Sequence, residues 1–253
     1  MPTATGVLLD PAEFDPAGFA PAGPRPADGA RRPALPRAGA PPHVWLVRAQ
    51  HHRAFVLGSA PDVLDAEERA RAAALRVPAD RECYLATHVA LRLLLGAYLE
   101  RPPREVPLTR VPCPSCGGPH GRPSVAGHPL HYSLSHSGSL GLLAFAATPV
   151  GVDTETVPSP AAVREASDAL HPRELAELAL LPAEARPPAF SRAWVRKEAY
   201  LKGLGIGLAD DPASWYLGTG VEPAEPPPGW HLSDVAAPPG STAALAWRGA
   251  PGT

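Results

Sequence analysis

Two carboxylates stand two residues apart in Gly151-Val152-Asp153-Thr154-Glu155. On an extended strand residues i and i+2 face the same way, so both acids project to one side. Paired oxygen donors suit a hard cation, and magnesium beside phosphate groups is the usual occupant. Alone, the pentapeptide is better read as two solvated acids on an exposed strand, with Val150 and Val152 anchoring the opposite face. The second cluster is Trp194-Val195-Arg196-Lys197-Glu198-Ala199-Tyr200-Leu201-Lys202-Gly203. At about 100° per residue on a helix, Trp194, Glu198 and Lys202 share a face, and Lys197 points well away from Lys202. The bland reading is a surface Glu–Lys pair at i,i+4 spacing, worth about 0.3–0.5 kcal/mol. Arginine carries nearly all the positive charge, yet both lysines of the chain flank this Glu. A compact ammonium suits phosphate oxygens and proton transfer better than a guanidinium does.

A third cluster, Tyr132-Ser133-Leu134-Ser135-His136-Ser137-Gly138, offers hydroxyls, an imidazole and a glycine turn that could hold a phosphate group. A serine nucleophile is the rival chemistry, but the Gly-x-Ser-x-Gly elbow is absent. A polar strand end capping its hairpin is the bland alternative. Cys113-Pro114-Ser115-Cys116 with His120 looks like half of a zinc knuckle. Structural zinc normally takes four ligands, and only His120 and His128 stand near enough to complete the set. Reduced thiols in a loop are the favoured reading. Cys83 reads as a small apolar side chain on a helix.

The elements that must position these groups follow from periodicity and punctuation. His43–Val47 reads as a strand from its β-branched and aromatic content. Asp65 with Glu68 predicts a capping box opening a short helix through Arg76. A longer helix is expected from Asp80 to Leu99, then a hairpin from Leu130–Ser135 and Leu140–Ala147, then a strand over Val150–Thr156. Helices are expected at Pro160–Leu170, Pro172–Leu181 and Ala189–Leu204, with short strands at Ser214–Leu217, Trp230–Leu232 and Ala243–Trp247. Strand, helix and strands occur twice, which predicts an α+β fold of two similar halves, residues 43–149 and 150–253. Residues 1–42 hold ten prolines and five glycines. They are expected to form a mostly disordered, dispensable tail in which only short apolar pieces such as Val7-Leu8-Leu9 dock.

The formal net charge of −2 lacks the basic footprint of a nucleic-acid binder. No apolar run reaches the length of a membrane span, no secretory leader is evident, and three cysteines argue against a disulfide scaffold. A cytoplasmic protein is expected.

Gly-Val-Asp-x-Glu followed about forty residues later by Trp-x-x-Lys-Glu-Ala-x-x-Lys resembles the Sfp-type 4′-phosphopantetheinyl transferases. Ser-x-Ser-His-Ser and Gly121-Arg122-Pro123 upstream match in order, so the resemblance runs from about Leu64 to Leu217. It implies a pseudo-dimer of two α+β halves with the cofactor in the cleft between them. It also implies a magnesium-dependent transfer of the 4′-phosphopantetheinyl group of coenzyme A to a serine of an apo acyl or peptidyl carrier protein, releasing 3′,5′-ADP. By that resemblance Asp153, Glu155 and Glu198 hold magnesium, and Glu198 is also the base. Lys202 contacts the pyrophosphate, Ser135 and His136 hold coenzyme A phosphates, and Arg71 and Arg92 are candidates for the 3′-phosphate. Glu68 departs from the pattern, standing where a basic residue can occur. The length implies a monomer of the larger type. Two rival classes stay open, another magnesium-dependent phosphoryl or nucleotidyl transferase and a non-catalytic coenzyme A-binding or carrier-binding protein.

Overall fold

In a computed structural model, which describes residues 8–16, 33–206 and 210–250, the chain has an α+β fold built on two sheets. The first sheet has six strands: β1 (Ala12–Glu13), β2 (His43–Arg48), β3 (Leu108–Arg110), β4 (Pro123–Val125), β5 (His131–Ser137) and β6 (Leu140–Ala146). Their order is β1-β2-β6-β5-β4-β3. The second sheet has three: β7 (Val150–Thr156), β8 (Trp230–Asp234) and β9 (Ser241–Arg248), in the order β7-β9-β8. Among the described residues six α-helices accompany them: α1 (Arg53–Val63), α2 (Ala66–Ala74), α3 (Pro78–Leu99), α4 (Pro160–Ala166), α5 (Pro172–Leu180) and α6 (Arg186–Leu204).

Strand β6 explains the layering. All seven of its residues are buried, because both of its faces are covered. Leu143 and Phe145 pack with Val89, Leu93 and Leu94 of α3 in one core. Leu140, Leu142, Ala144 and Ala146 pack with Val150 and Val152 of β7 and Ala243 and Leu245 of β9 in another. The far face of the second sheet, Ala244 and Ala246, packs on Val195, Ala199 and Tyr200 of α6. From one side to the other the order is α3, first sheet, second sheet, α6.

Two close approaches fix this arrangement. A Cβ on Gly151 would lie 2.0 Å from the carbonyl oxygen of Ala199 and 2.3 Å from the amide of Gly203, so only glycine lets α6 lie directly on β7. Gly138 takes the left-handed φ of +59° in the two-residue turn that joins β5 to β6.

The expected helices and hairpin are present, and the Asp65–Glu68 capping box closes in both directions at 2.9 and 3.0 Å. One expectation fails. No strand forms at Ser214–Leu217, where a 3-10 turn at Pro212–Ser214 precedes irregular chain. The amides of Leu217 and Gly218 donate instead to the buried Glu174 carboxylate, at 2.9 and 3.1 Å, so a sheet partner is not needed.

In the tail, the docked stretch extends beyond the short apolar piece expected to dock. Ala12 and Glu13 pair in parallel with Trp45 and Leu46, and the Phe14 side chain is 1% exposed inside the α3-side core. Leu9 bridges to Val235 beside the second sheet. A short docked stretch inside a proline-rich region escapes a composition argument, because one free sheet edge and one phenylalanine suffice to hold it. The remaining reading of the tail, for residues 1–7 and 17–32, lies outside the described residues.

Candidate active site

Alternation along β7 sends Val150 and Val152 into the core between the sheets and turns Gly151 and Asp153 toward α6. Asp153 is 2% exposed. Its Oδ1 accepts from the Ser135 hydroxyl at 2.7 Å and from Lys202 Nζ at 2.5 Å. Among the described residues its buried Oδ2 has no hydrogen-bond partner. Burial pushes the Asp153 carboxyl above the usual carboxylate range, against the pull of Lys202 and Ser135. Glu155 is raised by burial and by the Asp153 charge, with Ser137 opposing. Glu198 is raised by burial, then by Asp153 and Glu155, with Lys202 opposing.

Three acids thus share one field with a single ammonium among them. An orphaned carboxylate oxygen in such a field is costly to keep dry, and a divalent cation offsets it where a hydrogen bond does not. The donors are all carboxylate oxygens, the chemistry a hard cation takes, but one oxygen from each does not come within 4.8 Å of the other two.

Strand β5 supports the acids through its hydroxyls. β7 is not laddered to β5. Instead Ser133 Oγ accepts from the amide of Val152 at 3.1 Å and Ser137 Oγ accepts from the amide of Thr156 at 3.2 Å. With Ser135 on Asp153, the three serines at period two form a polar seam between the sheets. Ser133 and Ser137 had no role assigned from the sequence, although their alternation with Ser135 was the signal.

Helix α6 carries the other two groups. Pro187 and Pro188 sit in its first turn, where missing amides cost nothing, and Gly205 ends it at φ +81°. Arg122 Nη1 donates to the Gly203 carbonyl at 2.8 Å, which ties the Gly121-Arg122-Pro123 segment to the end of this helix. Trp194 stacks on Phe190 and packs against the cluster of α4 and α5 residues. Lys202 keeps a side chain 31% exposed beside Asp153. Lys197 is entirely buried, pairs with Glu174 at 2.8 Å, and donates to the carbonyls of Pro212 and Trp215. The two lysines do have different jobs, and that of Lys197 is to hold α5 and the 212–218 segment against α6.

The remaining assigned residues divide. Arg92 is 1% exposed and every nitrogen of its guanidinium is engaged. It donates to Glu68 Oε2 at 2.9 Å, to Asp65, and to the carbonyls of Pro103, Arg104 and Val106. Glu68, the departure from the family pattern, and Asp65 thus hold Arg92, the candidate for the 3′-phosphate, in an internal ion pair. Arg71 is exposed on α2, and its charge reaches Tyr84 and His136. His136 lies on the opposite side of β5 from Ser135, edge-on to Tyr84. Desolvation, then the charges of His88 and Lys202, hold its imidazole below the usual value. His88 stacks on Tyr84 at 3.9 Å and meets Glu68 Oε1 with its Nδ1 at 3.2 Å, so it joins the cluster of Asp65, Glu68 and Arg92. Ser135 and His136, the two candidates for coenzyme A phosphates, thus face opposite sides of β5. Ser135 serves the carboxylates, and His136 faces the side of Arg71.

Residues 149–223 match the sequence profile of the 4′-phosphopantetheinyl transferase superfamily. A protein of Synechocystis sp., provisionally named a 4′-phosphopantetheinyl transferase, is 30% identical over 173 residues, covering 66% of each chain. The 4′-phosphopantetheinyl transferase HetI of Nostoc sp. is 36% identical over 148 residues, covering 58% of this chain and 61% of its own. The matches span just under two thirds of the length of these relatives. The matched region contains Asp153, Glu155, Glu198 and Lys202, the residues that the fold brings to one site. The chain belongs to the 4′-phosphopantetheinyl transferase superfamily.

Proposed function

We propose that this protein transfers the 4′-phosphopantetheinyl group of coenzyme A to a serine hydroxyl of an apo carrier protein, releasing 3′,5′-ADP. The observation that carries the reading is the buried, unpartnered Oδ2 of Asp153 in the shared field of Glu155, Glu198 and Lys202. Asp153, Glu155 and Glu198 would hold magnesium, which when bound neutralises charge on the pyrophosphate. Lys202, half-open to solvent, turns its ammonium to the phosphate oxygens and stabilises the leaving group. Glu198 has a raised pKa that suits a base, and it takes the proton of the incoming serine. Arg71, on the side that His136 faces, would bind the remaining phosphate. The two α+β halves meet along the β5–β7 seam, and the cofactor lies in the cleft at its open end.

The carrier docks on α4 and α5. An apolar groove of about 270 Å³ there is lined by Val163, Leu175, Leu178 and Pro187 among others, and Leu180 stands exposed beside it. Among the described residues no helix is long and apolar enough to cross a membrane. The test is to mix protein, coenzyme A, magnesium and apo carrier, and to weigh the carrier. A mass gain of one phosphopantetheinyl group is expected. An unchanged carrier, with coenzyme A still bound, would favour the non-catalytic alternative.

A further inference from the structure

Residues 111–122 join β3 to β4 and bury almost nothing apolar; Cys113 is the one fully buried side chain in the turn they form. The turn is nevertheless tightly specified. The amide of Cys113 donates to the Gly118 carbonyl and the amide of Gly117 to the Cys113 carbonyl, both at 2.8 Å. Gly117 holds a left-handed φ of +72°. The amide of Gly118 donates to Cys116 Sγ at 3.4 Å, the kind of contact that stabilises a thiolate. A Cβ on Gly118 would stand 3.1 Å from the His120 ring and 3.3 Å from Cys116 Sγ, so glycine leaves the space between these side chains clear.

The consequence is a ligand cluster. Cys113, Cys116 and His120 each present one donor atom, and all three atoms lie within 4.8 Å of one another. Among the described residues this is the one group of three such side chains gathered so closely. Cys116 Sγ and His120 Nε2 are 2.9 Å apart. Tetrahedral bonds of about 2.3 Å to sulfur and 2.1 Å to nitrogen would need that pair to open to about 3.6 Å, a shift within reach of two exposed side chains. His128, the other histidine in sequence range, is occupied: its Nδ1 accepts from the amide of Leu130.

We propose that Cys113, Cys116 and His120 bind a zinc ion, with the fourth position open to solvent and filled by water. Two thiolates and an imidazole select a borderline-soft metal over magnesium or calcium. Entry of zinc displaces both thiol protons to solvent, and the two negative sulfurs balance the charge of the ion. The ion clips the turn that leads directly into Gly121 and Arg122. Arg122 caps the Gly203 carbonyl at the end of α6. Zinc therefore stiffens the approach to the helix that carries Glu198 and Lys202 without touching the acids.

The test measures metal, independently of transfer. Purified full-length protein is dialysed against zinc-free buffer and its zinc determined per chain, alongside Cys116→Ser, His120→Ala, Cys83→Ala and Asp153→Asn. Cys116 and His120 are exposed, so their replacement removes little packing. About one zinc per chain is expected in the wild type, Cys83→Ala and Asp153→Asn, and less than about a tenth in the other two. Cobalt added to the zinc-free wild type should give thiolate-to-metal charge-transfer absorption that Cys116→Ser lacks. A wild type without zinc and without the cobalt band overturns the proposal. So does zinc that survives Cys116→Ser but is lost in Asp153→Asn, since the metal would then sit on the carboxylates.

Discussion

Asp153→Asn separates the cost of the metal site from its use. In the metal-free protein a carboxylate with one oxygen orphaned in the interior weakens the fold. A buried polar atom without a partner costs about 1–3 kcal/mol. Asparagine keeps an oxygen for the Ser135 hydroxyl and removes the charge. It also gives up the pair with Lys202, and because that side chain is 31% exposed the loss is at most about 1 kcal/mol. The net expectation with chelator is a variant more stable than wild type by about 1 kcal/mol, or about 2–4 °C in Tm for a chain of this size. Magnesium at roughly 100 times its Kd adds about 2.7 kcal/mol to a protein that binds it only when folded. The wild type should gain that much and overtake the variant, which should gain little. Denaturant unfolding, with chelator and with magnesium, measures both differences. The pH dependence carries a matching sign. Burial raises the folded-state pKa of Asp153, so the folded state holds the extra proton between the unfolded and folded values. Chelated wild type should therefore lose stability as pH rises through that window, and the variant should lose less. A variant clearly less stable than wild type in chelator, or equal stabilisation of both by magnesium, would refute the reasoning.

Three further outcomes are expected. Glu198→Gln should slow transfer by roughly 10²-fold or more with no recovery at high magnesium, whereas Asp153→Ala should recover in part; full recovery of Glu198→Gln in a magnesium titration would leave Glu198 only a ligand. Lys197→Met should destabilise by about 3–5 kcal/mol, because Glu174 is left charged in a dry site, and Lys197→Met with Glu174→Gln should regain part of it; unfolding midpoints unchanged in the single variant would show that the pair is not needed. Phe14→Ala should cost about 3–5 kcal/mol in denaturant unfolding, although the residue lies in a proline-rich terminus, and a loss under 1 kcal/mol would show that the docked strand contributes little.

Local periodicity determined much of this protein. The i and i+2 placement of Asp153 and Glu155, the shared face of Trp194, Glu198 and Lys202, the Asp65–Glu68 cap and the β5–β6 hairpin all follow from residues within one or two turns of each other. The order of motifs was equally legible, and it carries the family. Tertiary structure decided what depends on contacts across tens of residues. Arg92 and Arg71 look alike as helix-borne cations, but burial against Glu68 and Asp65 made one structural and left the other at the surface. Lys197 and Lys202 are five residues apart on one helix, yet Glu174 claims the first and Asp153 the second. Phe14 finds its pocket only because β2 leaves an edge free, and Cys113, Cys116 and His120 converge only because glycines let the loop fold on itself. A helix or strand is set by its own residues, whereas the partner of a buried charge is set by whatever the chain brings back to meet it.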